Sequence, residues 1–387
     1  MLNDASIRLS KIQQMLIAKG IEACLLTTTV NILYANGSLF NGFYFIPVQG
    51  KAIRFVKRPV DLMGEDIVFI RKPEQIPLFL KELGYQLPES LLLEGDEMGY
   101  SDWTRLQACF PHAQIINGTS EIRKVRSIKT PYEIEQIRGS AQAHVRAYKR
   151  IPEVYKPGMT DISLSIEIER IMRLEGNLGL FRTFGEMEAF MGSVLTGDNA
   201  ATTSPYDFAL GGAGHNTNPI GACGMALLPG KSIMIDMAGN FTGYLDDLTR
   251  TFSIGKLSEK AYKAHQVSID IQLRIQEEMK EGAVCENIWE LSLAMAKQAG
   301  LEDCYMGTKQ QAKFVGHGVG LVINELPVLA ARSKEILQSG MTLAVEPKFV
   351  IDGVGAVGVE DTYLVGTDRS ERLTLLDFEI VDLTQKL

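Results

Sequence analysis

Two domains are predicted for this chain: an α/β domain over residues 1–125 and an α+β domain over residues 126–387. Three observations lead there. A chain of 387 residues is too long for one ordinary hydrophobic core. As far as Ile116, short apolar runs alternate with amphipathic stretches, the pattern of strands alternating with helices. Beyond Arg126 the pattern changes to two helices followed by strands, twice over.

Residues 5–19 read as an amphipathic helix, because Leu9, Ile12, Met15 and Leu16 recur at helical spacing and Gly20 ends it. Residues 24–26 are a short buried strand, and residues 44–56 a hairpin turning near Gln49 and Gly50. Strands follow over 66–70, 91–93 and 115–116, with helices over 77–83 and 102–110. This half has no Gly-rich phosphate loop. The basic run 123–126, Arg-Lys-Val-Arg, reads as a solvated linker. Thr130 then caps a helix to about Arg150, with Pro131 first and Glu133 third. Thr160 caps the next, to about Glu175. Residues 185–228, rich in Gly, Asn, Thr and Ser, are expected to line a pocket with short strands and an irregular loop. Ser258 caps a long helix to about Glu281, and residues 285–299 form another.

A net charge of −8 argues against a nucleic-acid partner. No stretch approaches the roughly 18 apolar residues of a membrane span, and the first residues lack the apolar core of a secretory signal. The five cysteines are scattered, with no Cys-x-x-Cys pair, as expected of free thiols in a reducing cytoplasm. A cytoplasmic protein with no nucleic-acid or membrane partner is therefore expected.

The chemistry gathers around residues 233–252. Asp236 lies in an apolar run, a Gly- and Asn-bearing turn spans 239–243, and Asp246 and Asp247 enter a second strand. With the turn centred near Phe241 and Thr242, Asp236 and Asp247 face each other at about 5 Å. Two buried carboxylates that close need a shared proton or a cation between them. Alone, the stretch also fits a surface hairpin with solvated aspartates. Three distant residues change the balance. His317 stands in a Gly-His-Gly-Val-Gly loop over 316–320, Glu346 ends an apolar strand, and Glu360 lies mid-strand. Asp, Asp, His, Glu, Glu is a ligand set for hard-to-borderline divalent ions. Two such ions about 3.5–4 Å apart, bridged by carboxylates, make a recurring hydrolytic centre.

In this order and context the residues resemble the metallopeptidase family that includes methionine aminopeptidase, aminopeptidase P and prolidase, known for its pita-bread fold. The resemblance covers residues 126–387 and runs through Asp236, Asp247, His317, Glu346 before Pro347, and Glu360. Gly243-Tyr244, the run from Asp247 to Phe252, and Gly320-Leu321 with Glu325 and Pro327 look like the aminopeptidase P and prolidase branch. Asn31 to Gly37 resembles a segment of the prolidase and creatinase amino-terminal domain.

The resemblance implies a creatinase- and prolidase-like α/β domain, then a pita-bread (creatinase/aminopeptidase-like) catalytic domain, in a homodimer. It implies a metal-dependent hydrolase, an Xaa-Pro aminopeptidase or Xaa-Pro dipeptidase, that opens the bond between an N-terminal residue and proline in small peptides through a metal-bridging hydroxide. Two divalent ions are implied, Mn²⁺ first, with Co²⁺, Zn²⁺ or Fe²⁺ compatible with the same ligands. Asp236 would be bidentate to one ion, Asp247 and Glu360 would bridge, and His317 would complete the other. Glu346 would carry the proton to the leaving amine. His215, in Gly-Gly-Ala-Gly-His-Asn-Thr-Asn, would contact substrate and steady the tetrahedral intermediate. Thr249 would hold a carboxylate or the bridging water. His112, His144 and His265 read as structural or surface residues.

Two positions depart from that branch. Asn324 precedes Glu325 where the branch usually has His, and Gly358 stands two residues before Glu360 where it often has Arg. Asn324 is taken as a substrate-binding residue that can donate a hydrogen bond but cannot move a proton. Glu325 is compatible with a structural role alone. A creatinase-like or lyase-type enzyme acting on a small non-peptide metabolite is the alternative function.

Overall fold

The computed structural model describes residues 2–183, 191–206 and 209–385. The chain divides into two compact units, Met1–Arg126 and Ser127–Leu387.

The first unit is built on strands β1 (Ala23–Leu26), β2 (Asn41–Pro47), β3 (Ile53–Arg58), β4 (Ile67–Phe69), β5 (Ser90–Leu93) and β6 (Gln114–Asn117). They form one mixed sheet in the order β4-β3-β2-β1-β5-β6. The sheet is antiparallel at β1–β2 and β2–β3 and parallel elsewhere. Leu25, Phe45, Phe55, Leu91 and Leu93 on the strands meet Ile76, Leu80 and Leu106 on the helices Ile76–Glu82 and Tyr100–Cys109. The run expected to be a solvated linker is instead part of the helix Thr119–Ser127. Arg123 pairs with Glu97 at 2.9 Å, and Arg126, 2% exposed, donates to Asn31 Oδ1 at 2.5 Å. A buried guanidinium requires such a partner.

The second unit contains β7 (Gly192–Thr196), β8 (Ser232–Asn240), β9 (Leu245–Ser253), β10 (Phe314–Gly318), β11 (Glu325–Ala330), β12 (Thr342–Val345), β13 (Lys348–Ile351), β14 (Gly355–Gly358), β15 (Asp361–Leu364), β16 (Glu371–Arg372) and β17 (Val381–Asp382). One sheet runs β17-β9-β8-β7, another β11-β10-β12-β15-β16, and β13 pairs with β14. The helix Pro131–Lys149 opens on a reciprocal cap in which the Thr130 and Glu133 side chains each bond the other's backbone N–H. With the helix Asp161–Leu174 it lies against β7, β8 and β9. Ile168, Met172 and Tyr148 there pack onto Val194, Ile233, Ile235 and Leu248. The helix Glu259–Glu278 covers β13 and β14, and Cys285–Gln298 covers β10 and β11. Ile271, Ile275 and Trp289 pack with Val315, Leu343, Val345 and Phe349. Each pair of helices thus backs a layer of strands, and the opposite faces of the strands are free to build a cleft.

Candidate metal centre

Strands β8 and β9 form a hairpin whose last pair is Asn240 with Leu245. Its turn therefore centres between Thr242 and Gly243, where Gly243 takes φ +97°. This is one residue beyond the expected centre, and the pairing shifts by two. Asp236 lies opposite Thr249, and Asp247 opposite Ala238. Because side chains alternate along a strand, a shift of two keeps both aspartates on one face, as diagonal rather than direct neighbours. Asp246 points the other way, and its Oδ2 bonds His144 Nδ1 at 2.8 Å with both side chains shut off from water. His144 is thus a packed partner of Asp246.

The other three residues arrive on separate strands. His317 is on strand β10, not in a loop, with a register shift between His317 and Gly318. Glu346 follows the last residue of β12. Glu360 is not mid-strand. It lies between β14 and β15, held by a backbone bridge to Thr249. Its carbonyl accepts from Arg250 Nη1 at 2.8 Å, while Arg250 Nη2 reaches Asp361 Oδ1 at 2.9 Å. A buried Arg250–Asp361 pair therefore anchors the segment that presents Glu360.

Asp236, Asp247, His317, Glu346 and Glu360 all line one cleft. Two groups of ligand-type atoms form in it: Asp247 with His317 and Glu360, and Asp236 with Glu346 and Glu360, the atoms of each within 4.8 Å of one another. His317 Nε2 is 3.8 Å from Asp247 Oδ2 and 3.6 Å from Glu346 Oε1, too long for hydrogen bonds. The first group fits a divalent ion. Glu360 Oε1 is buried and has no hydrogen-bond partner among the described residues, and a cation is what such an oxygen lacks.

The second group carries a cation of its own. Lys348, 0% exposed on β13, places Nζ 2.8 Å from Asp236 Oδ2, 2.7 Å from Glu346 Oε2 and 2.9 Å from Glu360 Oε2. Burial alone would pull this ammonium down, but the charges of Asp236, Glu346 and Glu360 hold its pKa well above the usual lysine value. Burial pushes the Asp247 and Glu346 carboxyls up. Repulsion from Glu360 and Asp236 pushes Asp247 further, whereas Lys348 pulls Glu346 back.

Sequence reasoning passed over Lys348. The available signal was its position two residues after Glu346, inside an apolar run, where strand alternation puts it on the face of the glutamate. Gly358 pairs with Lys348 across β13–β14, and a Cβ there would lie 2.6 Å from Pro347 O. No side chain fits at 358 without moving backbone.

Thr249 Oγ1 donates to Glu360 Oε2 at 2.7 Å. Asn324 lines the cleft and accepts from Thr183 Oγ1 at 3.1 Å. Glu325 is buried behind it, where Lys129 Nζ donates to its Oε2 at 2.9 Å and the Leu321 and Val322 N–H groups donate to its Oε1. His215 does not line the cleft. It is exposed, with Nδ1 2.9 Å from Thr217 Oγ1, although Leu210 and Ile220 on either side of it in sequence are cleft residues. Part of the 185–228 segment expected to line a pocket, residues 185–190 and 207–208, lies outside the described residues.

Residues 135–367 match the metallopeptidase family M24, and residues 8–128 match the creatinase/prolidase N-terminal domain. An uncharacterized peptidase of Bacillus subtilis, YqhT, is 24% identical, over 97% of this chain and 100% of its own length. A Pyrococcus furiosus protein named Xaa-Pro dipeptidase is 24% identical, over 97% of this chain and 99% of its own. A solved structure of an Xaa-Pro dipeptidase from Bacillus anthracis superposes with a TM-score of 0.80 at 25% identity, covering 98% of this chain and 99% of that one. The second unit accordingly has the pita-bread fold.

Proposed function

The chain belongs to metallopeptidase family M24, and on that premise we propose that it is an exopeptidase that opens the bond between an N-terminal residue and proline in small peptides. The observation that carries the reading is the convergence of Asp236, Asp247, His317, Glu346 and Glu360, from five separate segments, on one cleft. The names of the relatives, Xaa-Pro dipeptidases, support the substrate class.

When bound, divalent metal supplies a hydroxide near neutral pH and polarises the scissile carbonyl. Asp247, His317 and Glu360 would hold it. Glu346 keeps Oε2 against Lys348, which leaves Oε1, on the His317 side, to take the proton of the attacking water and deliver it to the leaving amine. Thr249 fixes the orientation of Glu360. Phe181, Leu210, Ile220 and Ile323 supply apolar wall suited to a pyrrolidine ring. Asn324 offers an amide to the peptide at the same wall, and His215, exposed on the loop between Leu210 and Ile220, would have to reach substrate from outside the cleft lining.

The oxygen-rich ligand set favours Mn²⁺. The reading extends to a homodimer working in the cytoplasm. Five free cysteines support a reducing compartment. No helix among the described residues is long and apolar enough to cross a membrane.

A peptide-cleavage panel read by mass spectrometry tests the proposal, with the protein reconstituted in Mn²⁺ or Co²⁺. Release of the first residue from Xaa-Pro peptides, and not from matched controls lacking proline, is expected. Metal-loaded protein that cleaves none of them would move the search to non-peptide amides.

A further inference from the structure

Resting on the reading as a metal-dependent hydrolase, we propose that the Lys348 ammonium takes the place of one divalent ion, so that this centre binds a single ion, on Asp247, His317 and Glu360. Lys348 Nζ contacts one oxygen each of Asp236, Glu346 and Glu360, at 2.8, 2.7 and 2.9 Å. Those three residues are one of the two groups able to hold an ion. The side chain therefore uses the carboxylates that a second ion would need.

The lysine has nowhere else to go. It is 0% exposed, and its strand is covered by the helix Glu259–Glu278. An ion bound to the same carboxylates, at the roughly 2.0–2.2 Å typical of such bonds, would crowd the ammonium. Displacing the ammonium would bury a charge away from its partners.

The remaining group is shaped for that one ion. Glu360 commits Oε2 to Lys348 and Thr249 and keeps the buried Oε1 without a partner among the described residues. His317 Nε2 stands 3.8 Å from Asp247 Oδ2, a spacing that a shared ion spans and a hydrogen bond does not. Lys348 thus divides Glu360 between a fixed cation and an exchangeable one.

The test is metal stoichiometry of the full chain at saturating Mn²⁺, by plasma mass spectrometry after dialysis and by electron paramagnetic resonance. The wild-type protein is expected to hold one ion per chain with an isolated-ion spectrum. Lys348→Ala is expected to hold two, with an exchange-coupled spectrum, and Lys348→Met separates loss of charge from gain of space. Two ions in the wild-type protein would overturn the proposal, as would an unchanged single ion in a folded Lys348→Ala. If the variants do not fold, the wild-type count still decides. The peptidase reading fails separately, when metal-loaded wild-type protein cleaves no Xaa-Pro peptide whatever its ion count.

Discussion

Thr249 and Glu360 are tied twice. Their backbones pair as an isolated bridge, and Thr249 Oγ1 donates to Glu360 Oε2 at 2.7 Å. The hydroxyl fixes which carboxylate oxygen turns toward Lys348 and which toward Asp247 and His317. Thr249→Val keeps the shape of the side chain and removes the donor. Metal affinity should fall by about 10–100-fold, as when outer partners of a ligand are lost. Thr249→Ser should retain near wild-type affinity. Metal titration of both variants checks this, and equal affinity in Thr249→Val would remove the orienting role.

Asp247 belongs to the group that fits an ion without competition from a lysine. Asp247→Ala should abolish turnover and strip bound metal, with the circular dichroism spectrum unchanged. Turnover retained at wild-type level would show that Asp247 is not a ligand.

Arg250 and Asp361 form a buried ion pair at 2.9 Å, and Arg250 also donates to the backbone carbonyls of Thr249, Glu360, Leu376 and Asp377. Removing Arg250 leaves the buried Asp361 with only Arg372, at 3.7 Å, to balance its charge. Arg250→Met should destabilise the fold by about 3–5 kcal/mol in denaturant titration. The double variant Arg250→Met with Asp361→Leu should recover part of that loss, because the orphaned carboxylate is gone too.

His265 is 4% exposed, with Nε2 2.6 Å from Phe378 O. Burial, reinforced by Arg250, lowers its pKa from 6.5 to about 4 despite that hydrogen bond. The unfolded chain therefore binds this proton from about pH 6.5 downward, while the folded chain resists until about pH 4. The contribution is fully present above pH 6.5 and is lost as pH falls through that window, by about 2 kcal/mol between pH 7 and pH 5. Calorimetry at both values should show a smaller decline for His265→Gln than for the wild-type protein. Parallel declines would assign the acid sensitivity to other groups.

Much of this architecture could be read from residue order alone. Caps at Thr130, Thr160 and Ser258 mark three helices because a side-chain acceptor at a helix start satisfies local backbone donors. The alternation of strand and helix before residue 117 reflects local burial periodicity. The candidate ligands were legible because each stands in a local context, such as Gly-His-Gly or Glu-Pro, that constrains its own backbone. The hairpin register was not, since moving a turn centre by one residue leaves the same alternation pattern and costs little locally.

The sequence by itself determined which residue types could make this centre and that Asp236 and Asp247 would share one face of a hairpin, since those follow from neighbours a few positions away. Tertiary structure alone decided their partners. His215 stands in a Gly- and Asn-rich run much like a site loop, yet folding leaves it outside the cleft lining. Arg126 looks solvated in its basic run and is buried against Asn31. Lys348 stands two residues after Glu346, but nothing near it in sequence points to Asp236. Only the pairing of β13 with β14, and the packing of β14 beside β8, bring its ammonium to Asp236, 112 residues away in the chain, and to Glu360. A charge acts over a few ångströms of space, and sequence distance carries no record of that.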